Sequence, residues 1–188
     1  MAQLIQPGYI RSARDSFARP GDTTAYAVGD AIANSTTASL VVPMQFQVAL
    51  GNGGTGKIIG ARLFLDSASA FGAMRLHLFN RAPFAAAGYQ ADNAALALTY
   101  TALKTGAVDS GATNTAGNIP NALPYIDFPS FVAQSASAEA IGQCDQTELE
   151  FQCTPDTNVI YGLLEARAIF TPANAGNYTV ALSVQGVA

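Results

Sequence analysis

Apolar residues recur at every second position in several short stretches of this chain, and turn-forming residues separate those stretches. Met44, Phe46, Val48 and Leu50 alternate with Gln45, Gln47 and Ala49. Between Lys57 and Asp66, Ile59, Ala61, Leu63 and Leu65 share one face while Arg62 falls on the other. Met74, Leu76 and Leu78 alternate with Arg75 and His77, and Leu149, Phe151 and Cys153 alternate with Glu148, Glu150 and Gln152. A strand presents successive side chains to opposite faces, so this period marks half-buried strands rather than helices, whose apolar stripe repeats near 3.6. Val159–Phe170 and Tyr178–Val184 extend the set, with Thr171-Pro-Ala-Asn-Ala-Gly-Asn as the turn between them. No amphipathic helix of useful length is visible.

Strands at this spacing predict an all-β chain, an antiparallel β-sandwich of jelly-roll-like type. Short turns, Gly51–Gly56 and Ser67–Gly72, join the three strands between Met44 and Leu78, which therefore read as a β-meander. The last strand, ending at Val184–Val187, is expected inside a sheet. Residues 1–23 carry no sustained period and are punctuated by Pro7-Gly8 and Pro20-Gly21, so they read as an extended N-terminal arm. Residues 24–188 then make a single β-sandwich domain with an irregular, loop-rich middle at 81–146. Within that middle, 94–103 fits a strand or a short helix, and 106–121 reads as an exposed loop.

Charge narrows the function classes. Of 188 residues only 12% are charged while 49% are hydrophobic, and that charged share is about half the ordinary one. A neutral surface of Ala, Gly, Ser, Thr, Asn and Gln suits permanent packing against other protein. The net charge of −4 argues against a nucleic-acid partner. Yet Arg11, Arg14 and Arg19 face only Asp15 within the first twenty residues, so the arm is locally basic. No apolar run is long enough to span a bilayer, and the start lacks the pattern of a secretory signal. Cys144 and Cys153 are therefore expected as thiols made in a reducing cytoplasm, although a local bridge across the acidic stretch between them is conceivable. Asn34-Ser-Thr and Asn177-Tyr-Thr match the glycosylation sequon, which has no meaning for a chain that is not secreted.

The candidate chemistry is weak. Gly51-Asn-Gly-Gly-Thr-Gly56-Lys57 fits G-x-x-x-x-G-K, but Ile58 stands where a phosphate loop needs a magnesium-binding hydroxyl, and a strand follows where a helix should. A flexible hairpin turn is the better reading. His77 is the one histidine, has no Gly-x-Ser-x-Gly elbow to serve, and belongs on an outer sheet face beside Arg75. One histidine and two cysteines do not make a four-ligand zinc site. Glu148 and Glu150 share a strand face about 7 Å apart, but glycosidase chemistry also needs sugar-stacking aromatics, and the chain has no Trp. Tyr89, Tyr100 and Tyr125 are the aromatics that loops of the middle section would present to a glycan. Asp92, Asp109, Asp127 and Asp145 form no calcium loop and default to solvated loop positions. Neither catalysis nor a cofactor is expected.

The run Arg19-Pro-Gly-Asp-Thr-Thr-Ala-Tyr-Ala-Val-Gly-Asp-Ala-Ile-Ala-Asn-Ser-Thr-Thr resembles a segment of uncharacterised virion proteins of tailed bacteriophages and their prophages. Gly60-Ala-Arg-Leu, Met74-Arg-Leu-His-Leu-Phe, Ala91-Asp-Asn and Gly162-Leu-Leu-Glu-Ala-Arg-Ala extend the resemblance along most of the chain in the same order. It implies a structural component of the virion, made in the bacterial host cytoplasm: a capsid decoration or cement protein, or else a tail or fibre component. Its partners would be the major capsid protein or other virion proteins, and itself as a homo-oligomer, a closed trimer being one form. A glycan-binding β-sandwich module is the alternative. On this reading the arm docks on a neighbour, with Arg11, Arg14 and Arg19 meeting acidic groups and Arg75 and His77 adding to the interface. The Asp, Thr, Asn and Ser residues of 19–38 are expected to cap backbone groups where the arm turns into the sheet.

Overall fold

A computed structural model of the chain describes residues 9–66, 71–83, 91–96, 123–133, 140–144 and 148–187. Tyr89, Tyr100, Asp109, Asp145 and the stretch 106–121 lie outside the described residues. Within them the chain is all-β, with one 3₁₀ turn at Ala38–Leu40. The strands are β1 (Tyr9–Ala18), β2 (Ala31–Ile32), β3 (Met44–Gln47), β4 (Thr55–Leu65), β5 (Met74–Phe79) and β6 (Ile126–Phe128). They continue as β7 (Phe131–Ala133), β8 (Ala140–Gln143), β9 (Leu149–Gln152), β10 (Val159–Ala166) and β11 (Asn177–Val187).

Two antiparallel sheets pack face to face. The first has the order β1-β11-β4-β8-β7, with β9 beside β8 on the same edge of β4; the second has the order β2-β10-β5-β6, with β3 also on β10. The pairs nest. β1 pairs with β11, β2 and β3 with β10, β4 with β8 and β9, and β5 with β6. A long hairpin folded over on itself gives this arrangement, which is the jelly roll. β11 lies between β1 and β4, so this strand is interior, as expected of it.

The nesting overturns the β-meander. β3, β4 and β5 follow one another in sequence, but β4 belongs to the first sheet and its two neighbours to the second. Gly51–Gly54 is accordingly a crossing between sheets rather than a hairpin turn. Thr55, Gly56 and Lys57 already belong to β4, so no helix follows the glycines.

The core fills the space between the two inner faces. Leu63, Val180, Leu182 and Val184 meet Phe46, Met74, Leu76, Ile126 and Ile160 there, all completely buried. Gly162 on β10 is needed for this packing, because a Cβ would come within 2.8 Å of Leu76 and 2.9 Å of Phe46. β5 keeps the predicted alternation, with Met74, Leu76 and Leu78 inward.

Two alternations break. A bulge in β4 places Ser183 opposite Gly60 but Val184 opposite Ile58, leaving Ile59 unpaired. Ile58, not Ile59, therefore enters the core on that side of the bulge. β3 ends at Gln47, where both Val48 and Ala49 donate to the Asn158 carbonyl; this tightens the chain and turns Leu50 outward, 71% exposed.

The N-terminal arm also needs correction. Residues 9–18 are extended, but they form β1, paired with β11 in one unbroken register from Tyr9↔Gly186 to Ala18↔Asn177. Phe17 stacks on Tyr178 across that pair, ring centroids 5.6 Å apart. Alternate side chains of β1 reach over to β3 and its continuation. Tyr9 Oη accepts the Leu50 N–H, Arg11 Nη1 donates to the Ala49 carbonyl, and Asp15 Oδ2 accepts the Gln45 N–H. From Tyr9 onward, the segment read as an arm is a structural edge of the sandwich.

Candidate functional site

The run that follows β1 builds a buried polar knot at one end of the sandwich. Arg19 and Asp92 have fully buried side chains and pair at 2.8 Å through Nη2 and Oδ2. Arg19 Nε donates to Tyr26 Oη at 2.9 Å, and Tyr26 Oη donates to Asp92 Oδ1 at 2.6 Å, closing a triangle. Nη1 donates to the carbonyls of Asp22 and Ala173, and Nη2 also reaches Asp22 Oδ1. All five N–H donors of the guanidinium are thus used. Asp92 Oδ1 accepts the Ala33 N–H as well, at 2.9 Å.

Electrostatics agree with this geometry. Burial works against the Arg19 charge, but Tyr26 and Asp92 outweigh it and hold its pKa above the usual value. Burial, reinforced by Asp92, pushes the Tyr26 hydroxyl far up, so it remains a donor. The Thr24 N–H, followed by Arg19, holds Asp22 below the ordinary carboxylate value. The knot joins residues 19–33 to Asp92 and to the Ala173 carbonyl. Its side chains bond to one another and to the main chain, tying these segments together.

Arg19 was expected at a docking interface and is instead an internal residue. Asp92 was expected in solvent and is instead its counter-ion. The capping expectation holds: Asp22 Oδ1 accepts the Thr24 N–H, Asp30 Oδ2 the Ala27 N–H, Asn34 Oδ1 the Val42 N–H and Ser35 Oγ the Thr37 N–H.

A second polar set lies on the outer face of the second sheet. Arg75 binds Asp127 with two parallel bonds, Nε–Oδ1 at 2.6 Å and Nη2–Oδ2 at 2.9 Å. The Asp127 bond, ahead of any other cause, raises the Arg75 pKa. Its guanidinium also lies 3.7 Å from the centroid of the Tyr125 ring. Directly opposite Leu163 on the neighbouring strand, His77 places Nε2 2.8 Å from Glu165 Oε2, while Arg167 Nη1 donates to Glu165 Oε1 at 3.2 Å. Burial lowers the His77 pKa despite the Glu165 bond. Arg75 and His77 therefore occupy the outer face the alternation assigned them, each with a carboxylate partner of its own.

The remaining candidates are scattered. Arg14 points outward from β1 and lies over Phe64, 5.5 Å from the ring centroid. Glu148 precedes β9 with φ +62°, off the strand, and pairs with Lys57 at 3.6 Å, so it does not share a strand face with Glu150. Neither cysteine is in a disulfide. Cys144 Sγ accepts the Ala61 N–H at 3.0 Å, and burial pushes the Cys153 thiol up to about 11. Among the described residues no group of three His, Cys, Asp or Glu could hold a metal ion, and no helix is long and apolar enough to cross a membrane.

Comparison with known proteins returns no match: no family model fits the chain, and no curated protein or solved structure is significantly similar to it.

Proposed function

We propose that this chain is a structural protein of a tailed-phage virion, a capsid decoration or cement protein that binds the shell and neighbouring subunits. The observation that carries the proposal is the jelly roll, an architecture shared by viral capsid domains, together with where the phage-like segments fall within it. Arg19–Thr37 and Ala91–Asn93 supply Arg19, Tyr26 and Asp92 to one buried knot, while Met74–Phe79 forms β5 and Gly162–Ala166 belongs to β10. The resemblance thus lies in residues that hold the fold together, which suits a chain whose work is to be a rigid building block. Since a fold hosts many functions, location decides. Mass spectrometry of purified virions should find the chain at a copy number comparable to the major capsid protein. A handful of copies means a tail or vertex component, and absence from particles refutes the assignment.

One observation favours a second reading as a glycan-binding module. Tyr125, 45% exposed, stacks on Arg75 beside Asp127 and close to His77, an exposed aromatic ringed by polar groups. On a glycan array, binding that Tyr125→Ala abolishes supports this reading, and a blank array removes it.

A further inference from the structure

We propose that β1 pairs with β1 of a second copy, antiparallel about a two-fold axis through Ala13, joining two first sheets into one. This deepens the self-association part of the proposed function and replaces the three-fold ring with a two-fold contact.

β1 is an edge strand of ten residues, and among the described residues no strand lies on its far side. The other edges differ. β2, β3, β6, β7 and β9 are four residues or shorter, and the β3 edge is already capped by Tyr9, Arg11 and Asp15. The hydrogen-bond parity of β1 can be read directly. Arg19 N–H donates to the Gly176 carbonyl in the register that pairs β1 with β11, so odd-numbered residues turn their main-chain groups toward β11. Even-numbered residues, Ile10, Ser12, Arg14 and Ser16, turn theirs outward. Among the described residues the Ser16 N–H is met only by the neighbouring Asp15 carboxylate, at 2.8 Å. An open ladder of this kind is a template for another strand, and β1 carries neither proline nor bulge to block it.

Charge then selects the occupant and the register. Antiparallel self-pairing centred on Ala13 sets Ile10 opposite Ser16 and Ser12 opposite Arg14 as hydrogen-bonded pairs, about eight main-chain bonds in all. The same register sets Arg11 opposite Asp15 at closely spaced positions, twice by symmetry, and Tyr9 opposite Phe17. Shifting the centre to Arg14 would place two like charges face to face, and centring on Ser12 would leave Arg11 opposite Ala13. Arg11 uses one guanidinium donor on Ala49, leaving others for the carboxylate of the second copy. As Asp15 turns toward that arginine, the Ser16 N–H is released into the ladder. Ala13 on the axis is small enough for the strands to close.

The test uses the full chain in sedimentation velocity, with thermal unfolding as the control for folding. Wild type is expected to sediment as a dimer at about 100 µM, weaker than most obligate dimers but well within a micromolar range. Ser12→Pro removes only an outward N–H, as edge strands tolerate, and should weaken association at least about tenfold while the monomer still unfolds cooperatively. Asp15→Arg should weaken it similarly, and adding Arg11→Asp should restore it. A13C, gently oxidised, should give a dimer linked through position 13, since closely spaced antiparallel pairs fall in the Cα range of disulfides. A monomer, a trimer, or a dimer indifferent to Ser12→Pro and to the charge exchange overturns the pairing. Virion copy number is read separately, so failure here leaves the capsid assignment to its own measurement.

Discussion

Arg11, Arg14 and Arg19 look alike in the sequence, three basic residues within nine positions, yet the fold gives each a different task. Arg19 is buried against Asp92, a partner 73 positions away, and nothing local in the sequence announces that meeting. Removing one member of a buried, fully bonded pair leaves the other charge uncompensated, which costs about 3–5 kcal/mol. Arg19→Met and Asp92→Asn should each lower the urea-unfolding free energy by that amount. Tyr26→Phe leaves one guanidinium donor and one carboxylate acceptor short and should cost about 1–3 kcal/mol. Arg14→Ala, on the outer face, should change stability by less than about 1 kcal/mol. Equal effects for Arg14 and Arg19 would show that the knot is not closed in solution. His77, the one histidine, gives a second residue-level test. Burial lowers its folded pKa, so between that value and the unfolded value near 6.5 the unfolded chain binds a proton that the folded chain does not. Its contribution is therefore fully present above about pH 6.5 and is lost as pH falls toward the folded pKa. The thermal midpoint should drop across that window, and His77→Gln should flatten the drop. An NMR titration of the imidazole with a midpoint at or above 6.5 would contradict the burial.

Elements were legible where one face alone decides the pattern. Met74, Leu76 and Leu78 point inward because β5 has one face on the core and one on the polar set of Arg75 and His77. β1 was not legible for the opposite reason. Tyr9, Arg11 and Asp15 face inward but carry polar ends that cap the edge of β3, so the inward side of an edge strand reads as polar sequence. The bulge at Ile59 left only the glycine beside it as a signal, since an interior glycine in a strand often marks such an irregularity. Its consequence is measurable. Ile58→Ala empties a core position and should cost about 2–5 kcal/mol, while Ile59→Ala, at an only partly buried position, should cost less than half as much. The reverse ranking would mean that the strand keeps an unbroken alternation.

For the molecule as a whole, turn signals located the strands but did not say which of them pair. Short connections at Gly51–Gly54 and after Leu65 made β3, β4 and β5 look like sheet neighbours, whereas each crossing changes sheets and every nested pair is closed from a distance. The pair with the widest sequence separation, β1 with β11, closes one side of the sandwich, and Arg19 locks the end of the same strand onto Asp92 and Ala173. A truncation of residues 1–19 therefore removes more than a docking segment. It strips a ten-residue partner from β11, exposes the Tyr178 face that Phe17 covers and leaves the Asp92 carboxylate buried without its guanidinium. The truncated chain should lose its cooperative thermal transition, whereas a chain beginning at Tyr9 keeps both β1 and Arg19 and should retain it. Failure of the longer truncation to enter virions would then report unfolding, not a lost contact with the shell. Only a truncated chain that still melts cooperatively would restore the view of residues 9–19 as a detachable arm.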